Sequence, residues 1–226
     1  MNKILSLSTE QKKIISKTEK FVKDKLTGEG SGHDWEHVKR VFLLSKRISK
    51  EEKANLLVVS LAALLHDIAD WKFQDNKETI AGGNVARQWL EKFNVDSETI
   101  DNVCKIVEDS SYKGSGVKDD LTTIEGKIVQ DSDRLDAMGA IGIGRTFAYG
   151  GHMNREMYNP NIKVSIANSF EEYKKAGQTT INHFYEKLLL LKDRMNTKTG
   201  KTIAEKRHKY MKDFLNEFFA EWTGEK

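Results

Sequence analysis

Apolar residues recur at helical spacing along nearly the whole chain, and this pattern predicts a succession of amphipathic helices. The first predicted helix follows a cap that begins at Ser8, and its apolar positions run from Ile14 through Val22 to Leu26. The third is apolar on almost every face, which predicts burial on several sides. Helices are predicted over residues 8–26, about 37–48, 51–70, 76–93, 100–107, 122–141, 169–195 and 202–222.

Glycine-rich and polar stretches separate these predicted helices. Residues 28–32 contain three glycines, but no Lys-Ser or Lys-Thr pair follows them, so a linker is favoured over a phosphate-binding loop. Residues 110–120 predict a polar loop, and residues 196–200 predict a turn. Residues 152–163, which include the only proline, predict a further loop. The segment before that loop is expected to be loosened by its glycines, Gly142, Gly144, Gly150 and Gly151.

The composition is typical of a soluble, helical protein. The 226 residues are 38% hydrophobic and 31% charged, with one proline, which favours an all-α fold. A formal charge of +3 is too small to indicate a nucleic-acid partner, and no apolar run is long enough to span a membrane. The N-terminal segment lacks the apolar core of a signal peptide, and a single cysteine excludes an internal disulfide. We therefore expect a cytoplasmic protein with no membrane partner, and the oligomeric state stays open.

His66 and Asp67 are adjacent at the C-terminal end of the buried third helix. Burying an imidazole and a carboxylate together is costly unless they have a partner, and a divalent cation is a suitable one. Further ligands are available from His37 on the second helix and from Asp133 or Asp131 on the sixth. Taken singly, each has an ordinary structural interpretation, as a satisfied core histidine, a helix-end aspartate or a salt-bridge partner. Their spread over separate helices favours a metal site.

The ordered set of His37, then His66-Asp67, then Asp133 resembles the H…HD…D pattern of the HD-domain metal-dependent phosphohydrolases. The sequence around these residues, in segments 33–41, 66–73 and 131–147, resembles that of the small bacterial HD hydrolases, a branch that includes nucleoside triphosphate pyrophosphohydrolases. The likeness covers about residues 20–150, and the C-terminal helices around Arg207-His208 are also similar. It implies an HD-domain helical bundle with additional C-terminal helices, forming one domain over residues 1–226.

The resemblance also implies a set of metal ligands, namely His37, His66, Asp67 and Asp133. Asp133 is preferred over Asp131. Asp131 would then not bind the metal itself but would orient one of its ligands. Two-metal HD proteins use extra histidines after the His-Asp pair, and this chain has none between His66 and Asp133. We therefore expect one divalent ion. Manganese is our first choice, although magnesium, cobalt, nickel, iron or zinc would also suit such ligands.

A divalent ion with open positions activates water and polarises a phosphoryl oxygen, which predicts hydrolysis of a phosphate ester or anhydride. The proton acceptor is expected to be Asp70, with Asp67 as the alternative; Asp70 is equally well explained as a solvated helix-end residue. Phosphate contacts are assigned to four further residues, each of which also has a structural explanation. They are His33, Lys72, Arg134 and Arg145.

The expected substrate is a small-molecule nucleotide, and the first hypothesis is cleavage of a nucleoside or deoxynucleoside triphosphate to monophosphate and pyrophosphate. That choice rests on the resemblance alone. A second hypothesis is a nucleotidase or phosphodiesterase acting on a monophosphate or cyclic nucleotide. A third, from another class, is a non-catalytic nucleotide-binding regulatory module.

Overall fold

The computed structural model describes residues 6–27, 34–68, 82–109, 121–165 and 179–226. Within these ranges the regular secondary structure is helical and contains no strand, so the prediction of an all-α fold is confirmed. A 3₁₀ helix, Leu188–Arg194, accompanies the α-helices. The α-helices are α1 (Thr9–Leu26), α2 (Trp35–Glu52), α3 (Leu56–Leu65), α4 (Gly82–Leu90), α5 (Ser97–Asp109), α6 (Ile124–Asp136), α7 (Gly139–His152), α8 (Asn182–Glu186) and α9 (Lys198–Trp222).

The described residues divide into two compact units, the first ending at Ser132 and the second beginning at Asp133, within α6. Helix α3 is the centre of the first unit: all ten of its residues are buried, and α1, α2 and α5 pack against it. The side chain of Asn55 caps α3 by accepting hydrogen bonds from the backbone N–H groups of Leu57 and Val58. The apolar run and its cap therefore give the first unit its buried axis.

The second unit contains α7, α8, the 3₁₀ helix and α9. Phe147 of α7, Phe184 of α8 and Phe214 of α9 form an aromatic cluster with ring centroids 5.9–6.2 Å apart. Such offset and tilted ring pairs contribute stabilisation beyond the area that they bury. The cluster links α7, α8 and α9 within this unit, and Phe184 is its fully buried member.

The boundary between the second and third helices differs from the prediction. Residues 51 and 52 belong to α2, and the residue that follows the helix, Lys53, has a left-handed conformation with φ of 56°. Helix α3 begins only after the Asn55 cap and ends at Leu65, so His66 and Asp67 lie in the turn that follows it. The predicted first helix is confirmed, because Ser8 and Gln11 form a reciprocal capping box at the start of α1.

The segment expected to be loosened by glycines is instead helix α7, so that prediction is wrong. Two of the glycines serve close packing rather than flexibility. A Cβ at Gly142 would lie 2.3 Å from the carbonyl oxygen of Ala137, and one at Gly150 would lie 2.3 Å from Thr180 Oγ1. Residues 153–165 are non-helical, which agrees with the predicted loop around Pro160.

The long helix predicted over residues 169–195 is not continuous in its described part, where Lys187 separates α8 from the 3₁₀ helix. The turn predicted at 196–200 is shorter than expected. Thr197 caps α9 by accepting a hydrogen bond from the Gly200 N–H, and the helix begins at Lys198. The predicted linker at 28–32, the loop at 110–120 and the start of the fourth helix at 76–81 lie outside the described residues. Across the described ranges, no helix combines the length and apolar character that crossing a bilayer requires.

Candidate metal centre

His66 follows the last residue of α3 and is buried. Its ring Nδ1 donates a hydrogen bond to the carbonyl oxygen of Ala63, 2.8 Å away. Because a carbonyl oxygen only accepts, this contact places the proton of the neutral ring on Nδ1 and leaves Nε2 with a lone pair. A metal-binding histidine is commonly held in the same way, by a hydrogen bond from its other ring nitrogen.

His37 lies in the first turn of α2 and is fully buried. Asp34 caps this helix, and its Oδ1 accepts a hydrogen bond from the backbone N–H of His37 at 2.8 Å. The cap fixes the start of α2 and therefore the backbone that carries the imidazole. Nε2 of His37 lies 3.4 Å from Nε2 of His66, and the two rings meet at 66°. Packing of α2 on α3 thus brings the Nε2 atoms of the two rings close to each other.

The carboxylate of Asp67 completes a triangle with these nitrogens. Its Oδ2 lies 3.2 Å from Nε2 of His37 and 3.3 Å from Nε2 of His66. Adjacent residues of a helix point about 100° apart, but this pair can converge because it lies in the turn after α3.

The spacing of these three donors fits a divalent ion. An ion about 2.1 Å from each donor holds neighbouring donors about 3.0 Å apart in octahedral geometry and about 3.4 Å apart in tetrahedral geometry. The donor–donor distances of 3.2–3.4 Å fall in that interval. A mixed imidazole and carboxylate set also matches the chemistry of Mn²⁺, Fe²⁺, Co²⁺ or Zn²⁺. The arrangement is therefore able to hold a metal.

Asp133 is the fourth predicted ligand, and it directly follows Ser132 on the same helix, α6. One of its carboxylate oxygens and one ring nitrogen from each of His37 and His66 all lie within 4.8 Å of one another. Asp131 is fully buried two positions earlier. The choice of Asp133 over Asp131 as the fourth ligand stays a prediction.

Two of the four predicted phosphate-binding residues, Arg134 and Arg145, lie within the described residues, and both contact other parts of the protein. Arg134 is buried, and its Nη1 donates to the carbonyl oxygen of Arg194. Arg145 donates to Oδ2 of the buried Asp136 at 2.8 Å. A guanidinium has five N–H donors, so one such contact does not exclude a second partner. The other predicted contacts, His33 and Lys72, and the predicted proton acceptor, Asp70, lie outside the described residues.

Several supporting residues were missed in the sequence. Asp34 was not recognised as the cap of α2, although an aspartate three residues before His37 is a local signal for one. Asp136 was not identified as the partner of Arg145, which pairs with it at 2.8 Å in the structure. The bond from Arg207 to the carbonyl of Leu135 has no local signal at all, because it depends on how α9 packs.

The fold and this group of donors define a class, the all-α proteins whose histidines and aspartates can hold a divalent metal. The HD domain family model matches residues 34–138. YpgQ of Bacillus subtilis (strain 168) is 40% identical over 199 residues, which cover 87% of this chain and 88% of YpgQ. The chain therefore belongs to the HD-domain family.

Solved structures agree with this assignment. A Lactobacillus plantarum protein is similar with a TM-score of 0.80 at 35% identity, over 97% of this chain and 100% of that one. An HD-superfamily hydrolase of Bacillus thuringiensis gives a TM-score of 0.75 at 42% identity, over 94% and 98%. The crystal structure of YpgQ in complex with ADP gives a TM-score of 0.72 at 33% identity, over 90% and 95%.

Proposed function

We propose that this HD-domain protein is a divalent-metal-dependent phosphohydrolase that acts on nucleotides. Its proposed metal ligands are His37, His66, Asp67 and Asp133. The observation that carries the proposal is the triangle of two imidazole nitrogens and one carboxylate oxygen with sides of 3.2–3.4 Å. We expect one metal ion, manganese in the first instance, and a single functional domain over residues 1–226.

The bound ion would supply Lewis acidity and an activated water for attack on phosphorus. The chain's own residues prepare for this chemistry. The Ala63 carbonyl holds His66 with its Nε2 lone pair directed toward the donor group. Burial of both histidines limits the water that competes for their nitrogens. Asp70, or alternatively Asp67, would accept the proton that the attacking water loses.

A nucleotide is the proposed substrate class. The ADP complex of YpgQ supports it, because that relative binds a molecule with a base, a ribose and a diphosphate. The first candidate reaction is hydrolysis of a nucleoside or deoxynucleoside triphosphate, in which water adds to the α-phosphorus and pyrophosphate leaves. His33, Lys72, Arg134 and Arg145 are the proposed phosphate contacts, since cationic side chains neutralise the charge on a polyphosphate.

A nucleotide panel tests this proposal directly. The full chain is incubated with Mn²⁺, Mg²⁺, Co²⁺ or Zn²⁺ and with nucleoside triphosphates, diphosphates, monophosphates and cyclic monophosphates, and pyrophosphate and orthophosphate are measured separately. Equal yields of pyrophosphate and monophosphate support the proposed reaction. Orthophosphate from monophosphates, or opening of a cyclic nucleotide, favours a nucleotidase or phosphodiesterase. Metal-dependent nucleotide binding without turnover of any panel member favours a regulatory module.

A further inference from the structure

The last turn of α6, residues Asp133–Asp136, carries a proposed metal ligand at its first position. Carbonyl groups in the last turn of a helix have no partner within the helix and are satisfied by other groups. Here the carbonyl oxygen of Leu135 accepts two hydrogen bonds, one from the backbone N–H of Met138 at 3.0 Å and one from Nη1 of Arg207, on α9. The guanidinium is a fitting partner, because the C-terminal end of a helix dipole is negative.

The two neighbouring residues of this turn are also held by arginine contacts. Arg134 donates to the carbonyl of Arg194, the last residue of the 3₁₀ helix, at 2.5 Å. Asp136 accepts from Arg145 of α7 at 2.8 Å. Three elements of the second unit therefore fix the turn on which Asp133 lies, and α9 does so through the backbone.

The aliphatic part of Arg207 lies across the joint between α6 and α7. Gly139, the first residue of α7, has a positive φ of 71°, and a Cβ at this position would lie 3.0 Å from Cγ of Arg207. The glycine thus provides both the left-handed turn and the space that the arginine stem occupies. Packing of the stem and hydrogen bonding by the guanidinium are separable features of one side chain.

We propose that Arg207 is a positioning residue, which sets the place of the Asp133 carboxylate by holding the Leu135 carbonyl in the same helical turn. This inference rests on the proposed metal site. Asp133 and Leu135 lie in one helical turn, so loss of the Arg207 contact is expected to shift the Asp133 carboxylate together with the Leu135 backbone. Metal sites require ligand distances within about 0.2 Å of their ideal values, so a small displacement of one carboxylate lowers affinity.

The test separates the hydrogen bond from the packing. Arg207→Met keeps an unbranched stem over Gly139 but has no donor, whereas Arg207→Lys keeps a cationic donor. Lys206→Met, at an exposed neighbouring position of α9, is the matched control. The dissociation constant of Mn²⁺ is measured by titration calorimetry, and the site is examined by the visible spectrum of the Co²⁺ form. Thermal unfolding, followed by circular dichroism, reports folding.

We expect Arg207→Met to raise the metal dissociation constant about 10–100-fold, as removal of groups that orient metal ligands does, and to alter the Co²⁺ spectrum. Arg207→Lys is expected to recover part of this loss, and Lys206→Met to match the unsubstituted chain. A folded Arg207→Met protein with unchanged affinity and spectrum would overturn the inference. If that variant does not fold, Arg207→Gln decides, because its shorter side chain cannot reach the Leu135 carbonyl from the same position of α9: an unchanged dissociation constant contradicts the positioning role and a raised one supports it.

The outcome is independent of catalysis. If the unsubstituted chain binds metal but hydrolyses no nucleotide, the proposed function fails, while the dissociation constants still judge the role of Arg207. If nucleotides are hydrolysed and Arg207→Met binds metal normally, the inference fails and the proposed function stands.

Discussion

The Nε2 atoms of His37 and His66 lie 3.4 Å apart, although 29 positions separate the two residues in the chain. Two buried imidazoles in this arrangement cannot both be protonated without strong repulsion. The Nδ1 proton of His66 is held by the Ala63 carbonyl, so Nε2 of His66 keeps a lone pair with which it can bind a metal. The two Nε2 atoms are therefore suited to bind one cation between them, and the neighbouring carboxylate of Asp67 supplies negative charge that offsets the charge of the cation.

Replacement of His66 by alanine tests this interpretation. The variant removes one of the proposed metal donors, so we expect the affinity for Mn²⁺ to fall by more than about 100-fold and nucleotide hydrolysis to fall to background. His152→Ala is the matched control, because His152 is exposed at the end of α7. Calorimetric titration and product analysis are the measurements. A His66→Ala protein that keeps full metal-dependent hydrolysis would rule out the metal-enzyme proposal.

The cap formed by Asp34 gives a second prediction. Asp34→Ala leaves the backbone N–H of His37 without its side-chain acceptor, so we expect the free energy of unfolding to fall by about 1 kcal/mol. Asp34→Asn retains an acceptor oxygen and is expected to lose less. Asp24→Ala is the control, because Asp24 pairs with Lys20 on an exposed face of α1 and such pairs contribute about 0.5 kcal/mol or less. Urea unfolding of the three variants distinguishes them, and equal losses for Asp34→Ala and Asp24→Ala would contradict the capping role.

The features that the sequence predicted well depend on neighbouring residues. The capping box at Ser8 and Gln11 and the apolar run of α3 are local patterns, and both are present in the structure. The proximity of His37 and His66 is not local. It was anticipated from the need of the buried His66-Asp67 pair for a cationic partner and from the resemblance to a known family, since helical periodicity alone does not specify which buried histidines meet.

The errors occurred where tertiary contact overrides local preference. Glycines disfavour helices in isolation, yet α7 contains several because two of them approach neighbouring atoms closely. Lys53 ends α2 in a left-handed conformation that no glycine or proline signals. The bond between Arg207 and the Leu135 carbonyl likewise requires α9 to be packed before it exists.

The glycines of α7 lead to a paired prediction. Gly144→Ala is expected to raise the free energy of unfolding by up to about 1 kcal/mol, because a Cβ there meets no atom within 4 Å and alanine is the better helix former. Gly142→Ala is expected to lower it by about 1–3 kcal/mol, because its Cβ would overlap the Ala137 carbonyl. The two positions lie on one helix, so each variant is the control for the other. Urea unfolding measures both, and effects of the same sign would show that packing around Gly142 is not the cause.

The buried His183 of α8 is expected to make the free energy of unfolding depend on pH. Burial lowers its pKa to about 3 from the usual 6.5, and the nearby charges of Lys187 and Arg155 act in the same direction. As pH decreases from about 6.5 toward about 3, the unfolded chain therefore binds a proton at His183 while the folded chain does not. It follows that the free energy of unfolding falls as pH decreases from about 6.5 toward about 3, by at most about 1.4 kcal/mol per pH unit from this group.

The substitution His183→Gln removes that titrating group and is expected to flatten the decline in stability between about pH 7 and about pH 5. Glu186 acts in the opposite sense, because burial raises its pKa and its stabilising effect is lost as pH rises through that value. Both variants compared here retain Glu186, so the difference in slope reports His183 alone. His152→Gln, at an exposed position, is the matched control and should keep the original slope. Urea unfolding across the pH series gives the slopes, and a His183→Gln slope equal to that of the control would show that His183 takes up its proton equally well in the folded chain.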